Sequence, residues 1–255
     1  MNIVEDAISN LANCMRICVE ANLRFREIFK VDAEEAINNV DRAFEMKLEG
    51  FHTLYDVSKN IFQYFDHADT TLMIVVRNAI HHRNHPLFRS LNQRLHIEKD
   101  IERSLGASFL LSDHKMATGG GISMSHYVRL DDIEARLDPS MKSPYLDQSV
   151  NSAKAAQRLK LINAQLNLST IRKRTLQDRY SSDRVYLDLM PIFVSATIRV
   201  FSAMKAKGLR FKGFDAETYA VPFTSELAVD LSHLNFNRLW LRGFGPVDLV
   251  LIPLL

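Results

Sequence analysis

The first 85 residues contain no proline and a single glycine, Gly50. Those two residue types are the strongest interruptions of a helix, so this stretch is predicted to be long helices. Ile8, Leu11, Met15 and Val19 recur at steps of three and four, marking one face of a first helix that should end near Phe29 or Lys30. Asp32 and Glu35 stand three apart, the spacing of a capping box, and open a second helix. Ile37, Val40, Phe44, Leu48, Phe51 and Tyr55 continue it, and Ile61, Phe62 and Phe65 extend the pattern. Carried to Phe65 without a break, it would be about 50 Å long, with Gly50 as a place to bend. Asp66 to Thr70 reads as a turn with an N-cap. Leu72 to Val76 is apolar all round, as in a buried helix, and Pro86 should stop or kink it.

The pattern loosens after Pro86. Residues 87–105 are predicted to form a short helix ending near Gly106. Ala107–Leu111 and Ile122–Leu130 look strand-like on either side of Gly119-Gly120-Gly121, which suggests a β-hairpin or mobile flap. Pro139 and Pro144 bracket a loop. Helix returns near Asp147, with Leu159, Ile162, Leu166 and Ile171 on one face. A last helix is predicted over Val185–Lys207 with Gly208 as its stop; Pro191 marks either a kink or a later start. The expected architecture is mainly α: an antiparallel helical bundle over 1–210, an inserted hairpin or loop around 106–148, and a mixed C-terminal extension over 211–255 packed on it.

Charge is unevenly distributed although the chain carries only +2 overall. Residues 1–80 hold 8 Lys/Arg against 13 Asp/Glu, whereas 151–212 hold 13 Lys/Arg against 3 Asp/Glu. A basic block of that size suits a polyanion such as RNA, and it equally suits a solvated helix face. Cys14 and Cys18, four apart, read as small core-facing residues rather than a disulfide framework, which fits a reducing cytoplasm. The charged N-terminal stretch lacks the apolar segment of a secretory signal, and no apolar run approaches the roughly 20 residues that span a bilayer. No membrane role is expected.

Four of the nine histidines lie between His67 and His85, and the dense part is Arg77-Asn78-Ala79-Ile80-His81-His82-Arg83-Asn84-His85. It follows directly on the buried apolar helix, where polar groups are costly unless paired or used. Arg77, the polar Asn78 after it, and His82 beyond four intervening residues match the Arg-x4-6-His motif of the HEPN superfamily. The context of long helices followed by an apolar motif-bearing helix is also similar. The resemblance covers about residues 1–105, with 181–208 as a further bundle helix.

The resemblance implies a metal-independent endoribonuclease that uses no cofactor. Arg77 would hold the scissile phosphate and stabilise charge in the transition state, His82 would act as general acid or base, and Asn78 would orient a phosphate oxygen or a catalytic side chain. The RNA 2′-hydroxyl would attack and leave a 2′,3′-cyclic phosphate. A homodimer that joins two motifs in one cleft is implied, in a cytoplasmic toxin–antitoxin, phage-defence or RNA-processing setting, with an antitoxin or regulatory protein as a further partner.

Other readings stay open. On a continuous helix residues five apart are separated by about 140°, so Arg77 shares a face with His81 rather than His82. His81 therefore competes for the histidine role. His81 and His85, four apart, could ligate a metal with help from His67 or Asp69, though no HExxH or paired His-Asp pattern is present. The cluster could also cap and salt-bridge a helix end, or belong to a non-catalytic HEPN-like module that binds a protein or a nucleotide. Gly119-Gly120-Gly121 lacks the Lys-Ser/Thr of a phosphate loop. Trp240 reads as core or interface, and Arg172-Lys173-Arg174 as either solvated surface or a phosphate contact.

Overall fold

Asn2 and Asp32 start the two longest helices by the same device, a side-chain oxygen that accepts a backbone N–H of the first turn. Asn2 Oδ1 accepts from Val4 at 3.1 Å and Asp32 Oδ1 from Glu35 at 2.9 Å. The computed structural model describes residues 2–82, 85–98, 100–118, 124–148 and 150–241. The first two helices are α1 (Ile3–Phe29) and α2 (Ala33–Ser58), packed as an antiparallel pair. Their contact faces are the ones the periodicity marks, with Ile8, Leu11, Ile37, Phe44, Leu48 and Phe51 buried.

Gly50 does not serve as a bend. A Cβ built there would lie 3.3 Å from the Cα of Leu11 and 3.3 Å from Cys14 Sγ, so its bare backbone sets how closely α1 and α2 approach. Gly50→Val should overpack this contact and cost about 1–3 kcal/mol. An equilibrium urea titration that leaves the midpoint unchanged would show that the helices part without penalty.

The second helix stops at Ser58 instead of running on to Phe65. Ser58 Oγ bonds back to the carbonyl of Leu54 and lies 2.7 Å from Tyr64 Oη. The chain turns so that the buried Tyr64 ring sits edge-on against Phe51, Tyr55 and Phe62, which a continuous helix would carry away from one another. Next comes α3 (Ala68–His82), packed against α2 and two later helices. Leu72 to Val76 are each no more than 2% exposed, as their uniform apolarity requires. Asp69, at the start of α3, is also buried. It accepts from Ser195 Oγ, Arg199 Nε and the Thr70 N–H, so its charge is satisfied in place.

The predicted helix over 87–105 is broken into pieces. Pro86–Phe88 forms a 3-10 turn, Gln93–Ile97 a π turn and Asp100–Ser104 a short helix, α4. Gly106 then takes φ 79°, and β1 (Ser108–Thr118) begins. The remaining elements are β2 (Tyr127–Arg129), α5 (Leu130–Leu137), α6 (Ser152–Leu166), α7 (Leu168–Gln177), β3 (Val185–Asp188), α8 (Leu189–Ala206), α9 (Phe214–Val221) and β4 (Ala228–Trp240).

Among the described residues, no pairing joins the two segments expected to form a hairpin between 107 and 130. The four strands lie in the order β2-β3-β1-β4, so β1 and β2 are separated by β3. β1 runs parallel to β3 and antiparallel to β4, and β2 pairs antiparallel with β3. The reason lies in β3: Val185, Tyr186, Leu187 and Asp188 are all buried, and such a strand fills both its edges and both its faces. This also corrects the helix predicted from Val185, which starts at Leu189. Asp188 is its N-cap and accepts from Met190 N–H at 2.9 Å, leaving Pro191 harmlessly in the first turn. Gly119-Gly120-Gly121 lies outside the described residues, as do Arg83, Asn84 and residues 242–255.

Asn167, at φ 54°, divides the predicted basic helix into α6 and α7. Ile162, Leu166 and Ile171 are nevertheless buried as the spacing indicates. α8 is long and apolar enough to cross a membrane by length and composition, at mean hydropathy 1.3. Most of it, 61%, is buried in the fold, where it packs against α3, β1 and β4. Cys14 and Cys18 are buried free thiols, and Trp240 stands exposed on β4 rather than in the core.

Candidate active site

The last turns of α3 and the middle of α2 meet at one carboxylate. Glu49 Oε2 accepts from Arg77 Nε at 3.0 Å and from Nη2 at 2.7 Å. Glu49 Oε1 lies 3.4 Å from His81 Nδ1. Arg77 Nη1 also donates to Asn78 Oδ1 at 3.3 Å. Arg77 and His81, four apart, thus share a face as helical geometry requires, and Glu49 bridges them. His52 sits one turn further along α2, its Nδ1 3.2 Å from Asp56 Oδ2. Burial, and then the charge of Arg77, hold the His52 imidazole below its ordinary pKa.

The side chains differ in exposure in a way that suits a site. Arg77 keeps 18% of its side-chain surface, while Glu49 and His81 keep 43% and 54%. A guanidinium that is largely held, beside an accessible imidazole, can meet a ligand without reorganising. Three of the five N–H donors of Arg77 are engaged, so two remain to reach an anion. His82 is the last residue of α3, about 140° around the axis from Arg77 on its continuous helix. Its side chain lies outside the described residues.

His85 does not join this group. Its Nδ1 accepts the Leu87 N–H at 3.0 Å and caps the turn at Pro86, and its ring is buried edge-on to Tyr145. Burial, with the charge of Arg136 next in effect, pushes it down to about 3. Its Nε2 is buried without a hydrogen-bond partner. His67 instead stacks on Phe62, and Asp69 is committed to Ser195 and Arg199. The metal grouping of His81 and His85 with His67 or Asp69 is therefore not assembled. Among the described residues no cluster of three or more His, Cys, Asp or Glu side chains could hold a metal ion.

Glu49 and His52 were not marked by the motif. Their signal lay on α2, where Glu49, His52 and Asp56 form a polar stripe at steps of three and four. Arg172, the first of the basic triplet, is spent on Asp131 and Glu134 of α5.

Nearer its N-terminus, α2 takes part in a second concentration of titratable groups, in the interior. Lys47 Nζ sits over the Phe193 and Phe44 rings at 4.0 and 4.7 Å, and burial lowers its pKa. His126 stacks on Phe44 with centroids 3.7 Å apart, its Nδ1 3.8 Å from Asp41 Oδ1. Burial pushes His126 down to about 3 and pushes Asp41 and Asp188 up to about 7. Asp41 accepts from Ser90 Oγ, and Asp188 from the His126 and Met190 N–H groups. These contacts tie α2 to the sheet and to α8.

Fold and site together define a mainly α protein with a small mixed sheet and an accessible Glu–Arg–His cluster between two helices. No family model, curated protein or solved structure matches the chain.

Proposed function

We propose that the chain is a metal-independent endoribonuclease of the HEPN type, with its site at the end of α3. The observation that carries this reading is the convergence of Arg77 and His81 on Glu49 at an accessible surface, with Asn78 beside them. In the proposed reaction a histidine takes the proton of the RNA 2′-hydroxyl, whose oxygen attacks the adjacent phosphorus. The bond to the 5′-oxygen breaks, that oxygen leaves protonated, and a 2′,3′-cyclic phosphate remains. Arg77 stabilises the added negative charge through its remaining donors, and Glu49 fixes the guanidinium plane. His81 is the histidine on Arg77's face, and His82 fills the role in the family motif. Two copies joining their motifs would make the cleft, in a toxin–antitoxin or phage-defence setting.

The test is incubation of total RNA with the protein in excess EDTA, followed by analysis of product ends. The expected result is fragments with 2′,3′-cyclic phosphate and 5′-hydroxyl ends. Loss of all cleavage in EDTA would transfer the chemistry to a metal, and absence of cleavage without EDTA would end the enzymatic reading.

A second reading has its own observation. The two hydrogen bonds from Arg77 to one Glu49 oxygen are also those of a clamp between α2 and α3, as a non-catalytic module binding a protein or nucleotide would use. Glu49→Gln separates them: the clamp predicts a change in melting temperature alone, whereas the ribonuclease predicts a fall in kcat.

A further inference from the structure

Among the described residues, Arg179 and Arg184 have no ion-pair partner and no side-chain hydrogen bond, yet both line one groove. The groove, about 620 Å³, lies where the end of α7 and the turn before β3 meet the start of β1 and the end of β4. Arg238 reaches it from β4, and its Nε and Nη2 donate to the neutral Ser108 Oγ at 3.0 and 2.8 Å, so its charge is not offset. Arg174 is already neutralised by Asp178 at 2.6 Å, with its guanidinium 5.8 Å from the Phe236 ring centroid. Tyr180 adds a second aromatic ring to the lining.

Three guanidinium groups without an ion-pair partner around one concavity offer an anion three cationic contacts. The segment that carries two of them is pinned. Arg179 takes φ 58°, its N–H bonds to the Leu176 carbonyl, and the Tyr180 N–H bonds to the Thr175 carbonyl at 3.0 Å. Arginines that track a backbone, interleaved with aromatic faces, fit a single strand, whose unstacked bases are available to rings. A duplex keeps its base faces inside its own stack and has no use for Tyr180 or Phe236.

We propose that this groove binds the phosphate backbone of single-stranded RNA, with Arg179, Arg184 and Arg238 on phosphates and Tyr180 against a base. The choice of RNA rests on the ribonuclease reading of the α2–α3 site. The groove lies among other elements, so it would hold a strand away from the bond being cut.

The test measures binding without cleavage. A fluorescein-labelled 2′-O-methyl oligouridylate of about 12 nucleotides, within the span of single-strand sites, has no 2′-hydroxyl to attack. Its anisotropy would be titrated with the full chain at several salt concentrations. Wild type is expected to bind with a marked salt dependence. Arg179→Ser/Arg184→Ser should bind about 10-fold or more weakly, with a log–log salt slope shallower by about 1.4, since each single-strand phosphate contact contributes about 0.7. Arg179→Lys/Arg184→Lys should restore the wild-type slope, because the slope counts charges.

Equal binding by the serine variant, no binding by wild type, a lysine variant as weak as the serine one, or tighter binding of a matched duplex would each overturn the groove assignment. None of these outcomes touches the cleavage assay with EDTA, so the two readings fail separately.

Discussion

Arg77→Ala is expected to lower RNA cleavage by about 10²- to 10³-fold, the usual cost of removing one donor aimed at developing transition-state charge. The effect should fall on kcat more than KM, because the guanidinium gains most from the extra charge of the transition state. Stability should change little. The Arg77–Glu49 pair stands at a surface where Glu49 is 43% exposed, and water screens such pairs to below about 1 kcal/mol. A melting temperature near wild type together with lost cleavage would place Arg77 in the chemistry. Arg77→Lys should recover only part of the rate, since an ammonium keeps the charge but cannot reproduce the planar fork held by Glu49 and Asn78. Parallel His81→Ala and His82→Ala variants assign the histidine: the larger loss in kcat names the acid–base group. Wild-type cleavage by Arg77→Ala would remove the proposed site altogether.

Half of that site could be read from the sequence because it is local. Arg77 and His81 lie four apart on one helix, and the uniform apolarity of Leu72–Val76 already marked that helix as buried. Glu49 lies 28 positions earlier on another helix, and no spacing rule links it to Arg77. His85 looked like a member of the histidine cluster, but the bend at Pro86 gave it a capping task instead.

The fold divides in the same way. The pairing of α1 with α2 follows from periodicity and from a cap three residues before Glu35. Val185–Asp188 is a four-residue buried strand running straight into an apolar helix, and a run that short has no period of its own. β1 finds its neighbours about 75 and 130 residues further along the chain, at Val185 and Trp240, so a local reading paired it with the nearest strand-like segment instead. The basic block split by function for a similar reason. Arg172 is consumed by α5, while Arg179 and Arg184 are left facing the groove.

Stability is expected to rise between pH 4 and pH 6.5, and three buried histidines supply part of the reason. Burial holds His85 and His126 at about 3 and His114 at about 4 in the folded chain. A histidine whose folded pKa is depressed contributes stability above its unfolded value near 6.5, and loses it as pH falls toward the folded value. Asp41 and Asp188 oppose this. Burial raises both to about 7, so their contribution is complete below about 3.8 and is lost as pH climbs through 7.

Between those limits the unfolded chain holds three more histidine protons and the folded chain two more aspartate protons. The difference of one proton favours higher pH over this interval. His52, His67 and His96 shift in the same direction as the three histidines, and Asp113 in the direction of the aspartates. Above pH 6.5 the histidine contribution is complete and no longer changes, the loss of the aspartate contribution dominates, and stability should pass its maximum and fall through pH 7. Lys47 reverses the trend further up, because a lowered folded pKa adds stability as pH rises toward 10.5.

Urea titrations at half-unit pH intervals would trace this curve. His126→Phe keeps a ring against Phe44 and the backbone N–H to Asp188 while removing one titrating group. It should flatten the rise between pH 4 and 6.5. A wild-type profile that declines over that interval would mean that the two aspartates outweigh the histidines, and that the buried interior is poised in the opposite sense.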